Sequence, residues 1–362
     1  MVGGGAAGRE GRDAEPRRSG RPRVAADVGG LAPDPAQRQA PDVEVTATHA
    51  GLDRIVGKLG DPDIVPKLAS ELPAPDLTTL LLEVAAVRAS RASGPGVLAR
   101  YRTDRFTRPG TIPFRNLRSV EDTFIRAVPD AWEWVVPSPV VPFGAHAALG
   151  PVSQDWVVST IRSSEVAADP TVALALEAAA RRHETSTRRA VGTARLATIQ
   201  RVTRGQRFES PDAFAHFSIF AMATTGRSQA GERFDDEALG EHFGVYVDAL
   251  SGIADRVEIV LSTAETSVGR RLRDGIHERW ASSFVTVSDD TERLGGQRYY
   301  RRACFKIHAV TPGGKVEFVD GGFTDWTERL LGDRHERLLI SGAGLDRPAL
   351  MLGEGQASES SG

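Results

Sequence analysis

The sequence predicts an α+β fold in which a mainly antiparallel sheet is flanked by helices. Strand-like and helix-like runs are mixed along the chain, without the regular β–α–β alternation that produces a parallel sheet. Two strand-like runs, RYYRRACFKIHAV and KVEFVDGG, are joined by TPGG, which favours a hairpin. A second strand pair, RLATIQRVTRGQRF and AHFSIFAMATTG, is joined by a loop that contains SPDAF. These two pairs form the basis of the predicted sheet.

Composition is that of a globular protein and excludes several functional classes. The chain has 362 residues, of which 40% are hydrophobic and 26% charged, and its formal net charge of −3 argues against wrapping of nucleic acid through bulk charge. The single cysteine, Cys304, excludes an internal disulfide and a cysteine-rich zinc site. The histidines lack HxH or HxxxH spacing, so no metal site is expected. No apolar run is long enough to span a bilayer, and we expect a cytoplasmic protein without membrane contact.

Differences in composition along the sequence also divide the chain into four segments. Residues 1–45 are mainly Gly, Ala, Arg, Pro and Asp, which cannot bury enough apolar surface to offset the ordering entropy, so this arm is predicted to be disordered. Residues 46–104 are predicted to be a small helical segment and 105–353 the main domain. Residues 354–362 are predicted to be a loose tail.

The first half of the chain alternates helices with one broken strand. DLTTLLLEVAAVRASRA predicts a helix with Asp76 as N-cap, and SGPG stops it. NLRSVEDTFIRAV predicts a second helix, and WEWVVPSPVVPFG a strand that prolines interrupt. TVALALEAAARR predicts a third helix, with Asp169 and Thr171 at its start and arginines at its end, in agreement with the helix dipole.

In the second half, DDEALGEHFGVYVDALSGIA predicts an amphipathic helix, RVEIVLSTAE a strand and SVGRRLRDGIHERWASSF a helix. RLLISGAGLDRPALML predicts a strand, a glycine turn and a helix. An antiparallel strand pair carrying an arginine, with a glycine-rich turn that ends in arginine, suits a nucleoside triphosphate. Guanidinium groups grip phosphate oxygens, and glycines let the backbone approach them.

Residues 105–353 resemble the catalytic domain of class II aminoacyl-tRNA synthetases, specifically the histidyl branch, which includes the regulatory subunit of ATP phosphoribosyltransferase. WEWVVPSPVVP is similar to the first class motif, with Pro139 as its dimer-interface proline, and this implies a homodimer. SEVAADPTVALALEAAARR is similar to the segment whose acid and threonine hold the amino group of the bound amino acid. The resemblance gives those roles to Asp169 and Thr171.

Three later stretches extend the resemblance to the nucleotide. QRVTRGQRF…FAHFSIF resembles the second motif, which implies that Arg201 contacts the α-phosphate. The adenine partner stays open between Phe214, which fits the histidyl spacing, and His216 with Phe220, which fit the general class pattern. SGAGLDR resembles the third motif, whose arginine, here Arg347, binds the γ-phosphate. LGGQRYYRRACFKI and GGFTD resemble the two signatures of the histidyl branch. The residues assigned to the amino-acid site by this resemblance are Asp169, Thr171, Gln206, Tyr299, Tyr300, Gly321 and Gly322.

The sequence departs from the family pattern at several site positions. Thr203 stands where the second motif has a glutamate, and Gly295 replaces an arginine that promotes adenylate formation. Arg298 falls where an aspartate is expected, and either Arg298 or Arg301 is our candidate for the substitute catalytic cation. Phe323 and Thr324 replace an Arg-Tyr pair. The chain ends shortly after the third motif, so we expect no anticodon-binding domain.

Several of these residues also have a simpler structural interpretation. Asp169 and Thr171 are favourable at any helix N-terminus, and Gly321 and Gly322 suit a bulge or turn. His216 is compatible with a half-buried structural histidine. These alternatives remain open at the level of sequence.

Three functions fit the sequence. The first is an amino-acid-activating ligase that uses ATP and Mg²⁺ to form an aminoacyl adenylate, with a small molecule, a carrier protein or a tRNA acceptor end as acceptor. The second, favoured by Thr203 and Gly295, is a non-catalytic amino-acid sensor or regulatory subunit of an enzyme partner. The third is a dimeric scaffold without ligand.

Overall fold

The computed structural model describes residues 50–150, 152–184, 192–206, 215–264, 266–290, 299–311 and 314–350. The chain divides into two compact units, Met1–Ala69 and Ser70–Gly362. The described part of the first unit contains helices α1 (Ala50–Leu59) and α2 (Ile64–Pro66), and a π-helical turn follows at Lys67–Glu71. Within the described residues, no helix is both long and apolar enough to cross a membrane.

The second unit opens with two surface helices, α3 (Ala74–Ser90) and α4 (Gly94–Thr103), and no residue of either helix is buried. Pro73 occupies the N-cap position of α3, so the helix starts before the predicted Asp76. The SGPG stretch stops α3 as predicted and also starts α4, because the Ser93 side chain accepts a hydrogen bond from the Gly96 amide at 3.2 Å.

Eight strands form the main sheet, in the order β1-β4-β5-β10-β9-β8-β6-β7. The strands are β1 (Glu133–Trp134), β4 (Ala194–Thr203), β5 (His216–Arg227), β6 (Arg256–Thr263), β7 (Val285–Asp289), β8 (Tyr300–Thr311), β9 (Gly314–Thr324) and β10 (Glu336–Gly344). Neighbours are antiparallel except β1 with β4 and β6 with β7. A small separate hairpin pairs β2 (Val140–Pro142) with β3 (Ser164–Val166).

Helices cover both faces of the main sheet. The remaining helices are α5 (Phe114–Ala127), α6 (Ala145–Leu149), α7 (Pro170–Glu184), α8 (Arg233–Leu250), α9 (Ser267–Trp280) and α10 (Trp326–Leu331), with short 3-10 turns at Gln154–Trp156 and Ala230–Glu232. On one face, Phe124, Phe220 and Tyr246 pack α5 and α8 onto the sheet. On the other face, Leu174 of α7 and Trp326 of α10 pack against strand residues such as Ile340. Each face therefore has its own hydrophobic core.

The α+β prediction is confirmed: the sheet is mainly antiparallel and helices flank it. The prolines of WEWVVPSPVVPFG divide that stretch between β1 and β2, which belong to different sheets. The sequence interpretation did not include β3, β7 or α10. All three are short, so their periodicity is too brief to be distinguished from a loop.

Candidate functional site

A cavity of about 340 Å³ lies over the middle of the main sheet, where β5, β9 and β10 run side by side. Its apolar and glycine lining comes from the strands: Phe217, Ile219, Phe318, Val319, Ile340, Gly342 and Gly344. Its polar lining comes mainly from the N-terminus of α7, the end of β4 and the neighbouring strands: Asp169, Thr171, Arg204, Tyr299, Tyr300, Glu317, Asp320 and Ser341. Four residues that the sequence assigned to amino-acid binding thus meet at one cavity.

Asp169 caps α7 and presents its carboxylate to the cavity. One carboxylate oxygen accepts hydrogen bonds from the Thr171 amide at 2.9 Å and from the Thr171 hydroxyl at 2.6 Å. The other oxygen accepts from the Arg204 guanidinium at 3.2 Å. Arg204 also donates to the Ala168 carbonyl at 2.7 Å and stacks over the Phe217 ring, 5.3 Å from its centroid. The capping role and the cavity position of Asp169 are therefore compatible.

A buried histidine–carboxylate pair holds the segment that leads into α7. The Ala168 amide donates to His146 Nε2 at 3.0 Å, so His146 Nδ1 carries the proton and donates to Glu165 at 2.6 Å. Burial by itself would raise the pKa of Glu165, but hydrogen bonds from the His146 amide, Gln154, the Gly144 amide and the His146 ring lower it overall. Both side chains are fully buried. This pair fixes the residue directly before Asp169.

Tyr299 and Tyr300 form an aromatic wall of the cavity. Their ring centroids lie 4.3 Å apart, and Tyr299 also approaches Trp326 at 6.2 Å. The Tyr300 hydroxyl donates to Asp320. Burial first, and the neighbouring Asp320 carboxylate second, raise the pKa of Tyr300 well above its ordinary value, so the phenol stays protonated. Tyr300 is therefore a hydrogen-bond donor at the cavity over the whole physiological pH range.

The two glycines of GGFTD allow strands to pack closely under this wall. A Cβ atom on Gly322 would lie 2.6 Å from the Tyr300 ring and 2.7 Å from Cys304 Cβ. A Cβ atom on Gly321 would lie 2.5 Å from the Phe305 ring and 2.8 Å from Ser341 Cβ. Neither glycine lines the cavity itself. They support the ring and the strand that do.

Arg201, His216 and Phe220 lie on the sheet face opposite the cavity. Successive strand residues face opposite ways, and Arg201 pairs with Ser218, which alternates with the cavity residues Phe217 and Ile219. Arg201 donates to His216 Nδ1 at 2.9 Å and to the Ser218 hydroxyl at 3.3 Å. Phe220 is fully buried in the core, 5.0 Å from the Phe124 ring.

The Arg201 cluster includes a buried carboxylate from the turn after β10. Asp346 accepts a hydrogen bond from the Ser218 amide at 2.9 Å and lies 3.6 Å from Arg201. Burial raises its pKa, against the lowering effects of the Ser218 amide and of Arg201. The cluster ties β4, β5 and the end of β10 together behind the cavity.

The remaining predicted site residues lie at or beyond the cavity edge. Arg347 is exposed in the first turn of the helix that begins at Asp346, just after the cavity residue Gly344. Gln206 is half-buried, and its carbonyl accepts from Arg105 at 3.1 Å. The predicted contributions of Phe214 and Arg298, and the departure at Gly295, lie outside the described residues.

Most of the cavity lining was not selected from the sequence, including Arg204, Phe217 and Asp320. A signal for Arg204 was present, because Arg204 and Gln206 have the Arg-x-Glu spacing with glutamine as the third residue. Phe217 differs from the candidates His216 and Phe220 in strand parity, which a motif match does not test.

The described lining carries three carboxylates, Asp169, Glu317 and Asp320, and one guanidinium, Arg204. All three carboxylates already have basic or hydroxyl partners: Asp169 pairs with Arg204, Glu317 pairs with Lys306 at 2.6 Å, and Asp320 accepts from the Tyr300 hydroxyl. In the part of the chain that the structure describes, no group of three or more His, Cys, Asp or Glu side chains is arranged to hold a metal ion. The cavity thus suits a ligand with a positively charged group beside a negatively charged one.

Comparison with known proteins gives matches in structure alone: no protein-family model and no curated protein matches the sequence. The histidine–tRNA ligase subunit from Alicyclobacillus acidocaldarius subsp. acidocaldarius DSM 446 is 14% identical, with a TM-score of 0.50 over 69% of this chain and 97% of that one. An ATP phosphoribosyltransferase regulatory subunit/histidyl-tRNA synthetase from Bacillus halodurans C is 11% identical, with a TM-score of 0.48 over 67% and 81%.

PylSc, a pyrrolysyl tRNA synthetase from Desulfitobacterium hafniense, is 16% identical, with a TM-score of 0.42 over 72% of this chain and 75% of that one. At such identities a structural likeness establishes the fold. The likeness to the Alicyclobacillus subunit extends over nearly all of that protein's length. The chain described here has the class II aminoacyl-tRNA synthetase-like fold, the type found in a histidine–tRNA ligase subunit.

Proposed function

We propose that the protein binds an amino acid and ATP in the cavity over the sheet and joins them as an aminoacyl adenylate. One observation carries the proposal: Asp169 and Arg204 stand 3.2 Å apart on the cavity wall. An aminoacyl adenylate carries an ammonium group and a phosphate close together, and this pair offers one complementary charge to each.

The proposal changes one role that was assigned from sequence. Arg204, rather than Arg201, contacts the α-phosphate, because Arg204 lines the cavity and Arg201 bonds to His216 and Ser218 on the other face. Phe217 offers its ring to the adenine, since it lines the cavity and already stacks with Arg204. When the ligand binds, its ammonium group replaces Arg204 as the partner of Asp169, which releases the guanidinium for the phosphate.

In the proposed reaction, a carboxylate oxygen of the amino acid attacks the α-phosphorus of ATP. The bond from that phosphorus to the bridging oxygen breaks, and pyrophosphate leaves with the electron pair. Arg204 neutralises charge on the α-phosphate, and Arg347, which is exposed three residues after the cavity residue Gly344, binds the γ-phosphate. Mg²⁺ would enter as part of the ATP substrate and would neutralise phosphate charge, so the protein contributes mainly positioning and charge. The acceptor is a small molecule, a carrier protein or a tRNA acceptor end.

A second candidate function is supported by the charge of the cavity. Three carboxylates and one guanidinium line its described part, and this balance favours an ammonium compound over a triphosphate. On this basis the protein is an amino-acid-binding regulatory subunit that does not react with ATP.

Amino-acid-dependent ATP–pyrophosphate exchange separates the two functions. We expect exchange with one of the twenty standard amino acids, a loss of at least ~100-fold in Arg204→Ala, and near wild-type exchange in the matched variant Arg201→Ala. No exchange by the wild type, together with a thermal shift on adding one amino acid, supports the regulatory subunit. No exchange and no shift overturns both functions, and loss in Arg201→Ala alone overturns the assignment of Arg204.

A further inference from the structure

The charge of the chain is concentrated in one surface segment. Residues 88–118 contain eight arginines, no lysine, no glutamate and a single aspartate, Asp104, although the whole chain has a net charge of −3. The segment includes the end of α3, all of α4 and the start of α5. Such a local excess of positive charge on an acidic protein creates a strong positive field at that surface.

Three of these arginines line one groove between α3 and α4. The groove has a volume of about 720 Å³, and Arg88, Arg91 and Arg100 line it together with Ala89, Ala92 and Gly96. The small residues of its lining leave room for a chain to approach the helix backbones. All three arginines are exposed.

The groove arginines lack carboxylate partners among the described residues, whereas several other exposed arginines have them. Among the described residues, no ion pair involves Arg88, Arg91 or Arg100. Elsewhere, the exposed Arg233 pairs with Glu237 at 2.7 Å and Arg279 with Asp236 at 3.1 Å. Like charges that converge without compensation repel one another, so their convergence gains nothing for the folded chain by itself. It becomes favourable when a polyanion occupies the groove.

We propose that the α3–α4 groove binds a single strand of nucleic acid through its phosphates. The guanidinium fork matches phosphate oxygens in two-point contacts, and the basic residues of this segment are all arginine. Two aromatic rings in the same segment, Tyr101 at 43% and Phe106 at 37% exposure, are of the kind on which bases stack, and the Arg105 guanidinium already stacks on one face of Phe106, 4.4 Å from its centroid. An acidic protein segment would pair with the arginines but has no bases to stack on the aromatic rings. The observations therefore favour nucleic acid.

Residue Arg105, within the arginine-rich residues 88–118, bonds to the loop that follows β4 and carries Arg204. The Arg105 guanidinium donates to the Gln206 carbonyl at 3.1 Å and also to the Gly205 carbonyl. The groove is formed by α3 and α4, so the proposal that it binds nucleic acid does not depend on whether the cavity forms an adenylate.

The test is fluorescence anisotropy of the full chain with a labelled single-stranded oligo(U) RNA of about 20 nucleotides, at 50 and 200 mM KCl. Three phosphate contacts predict that the wild-type affinity weakens roughly 20-fold between these salt concentrations. In Arg88→Gln/Arg91→Gln/Arg100→Gln we expect at least ~10-fold weaker binding at 50 mM and little salt dependence. The matched variant Arg233→Gln/Arg279→Gln/Arg329→Gln removes the same charge from other surfaces and should bind like the wild type.

Circular dichroism establishes that both triple variants are folded, which is expected because the groove arginines are exposed. Equal affinity of the two variants overturns the proposal, as does wild-type binding that is insensitive to salt. Poly-glutamate is the competitor that represents an acidic protein segment. If it displaces the RNA as well as unlabelled oligo(U) does, the groove does not distinguish nucleic acid and the proposal is wrong.

Discussion

His242 is a titratable residue that the fold holds neutral in its interior. Its ring bonds to the Thr224 hydroxyl at 3.0 Å and to the Ser341 hydroxyl at 2.7 Å, and Ser341 also accepts or donates at 2.8 Å to the Tyr246 hydroxyl. Burial lowers the pKa of His242 to about 3 and raises that of Tyr246. This neutral network lies between α8 and β10, directly behind the cavity strand.

The pKa of His242 predicts how stability depends on pH. Between its ordinary pKa of about 6.5 and its folded pKa of about 3, the unfolded chain binds a proton that the folded chain does not. The free energy of unfolding should therefore fall as pH falls from 6.5, by up to ~1.4 kcal/mol per pH unit. His242→Gln should flatten this dependence between pH 7 and 5 in urea unfolding. The exposed His183→Gln is the control, and the same slope in both variants would contradict the prediction.

Contacts beyond the end of β4 decide which arginine lines the cavity. Motif similarity selected Arg201 from the sequence, and the structure places Arg204 at the cavity instead, beside Asp169. The resemblance to class II synthetases assigned Asp169, Thr171, Tyr299 and Tyr300 to one site, and all four residues line the cavity. It did not determine the face of the sheet, because β4 ends at Thr203 and the direction of Arg204 depends on contacts with Ala168 and Phe217.

At the scale of elements, long periodic segments were predictable and short ones were not. The helices α5, α7 and α8 and the strands β4, β5, β8 and β9 follow clear periodicity, and the structure has them where the sequence predicts. The small hairpin of β2 and β3 is different. Its second strand carries Glu165, whose partner His146 is 19 residues away, and no local pattern reports such a contact.

This histidine–carboxylate contact predicts the stability of the element that positions Asp169. His146→Ala should lower the free energy of unfolding by about 2–4 kcal/mol, because it leaves a cavity and removes a bond to the buried Glu165 carboxylate. The Ala168 amide loses its acceptor and should exchange its hydrogen faster. Urea unfolding and hydrogen exchange measure the two effects.

The control for this element is His277→Ala. His277 is 37% exposed and pairs with Asp289 at 3.1 Å on the surface, so its loss should cost less than about 1 kcal/mol. A His146 variant as stable as the His277 variant would show that the buried pair does not hold the segment before α7.

At the scale of the whole molecule, the sheet separates two cores with different tasks. The core of the α5–α8 face contains most of the buried aromatic side chains and lies next to the supporting Arg201 cluster, and two of its members, Phe318 and Val319, also line the cavity. The α7–α10 face is interrupted by the cavity. The sequence predicted that helices flank the sheet, but it did not predict which helices cover which face. That choice depends on the side of the sheet on which each connection between strands crosses. Long-range strand pairing such as β10 between β5 and β9 fixes that choice.

The molecular surface also predicts self-association. Apolar side chains are unusually exposed between β1 and α6: Trp134 at 39%, Val136 at 96%, Val140 at 37% and Phe143 at 61%. This is the segment that resembles the first class II motif, with the exposed Pro139 at its centre. Large apolar side chains exposed in this way are unfavourable in water and favour burial against a partner. We expect a homodimer in which this segment of one copy packs against another copy.

Val136→Glu/Phe143→Glu should convert that dimer into a monomer, because it would bury charges without partners in the interface. Light scattering after size-exclusion chromatography gives the mass directly, to be compared with 38.9 kDa for one chain. Leu98→Glu/Leu330→Glu places the same charges at apolar positions that are 57% and 40% exposed outside the segment, and it should leave the dimer intact. A monomeric wild type would refute the dimer. Dissociation by both double variants would refute this segment as its interface, since the effect would then follow added charge rather than position.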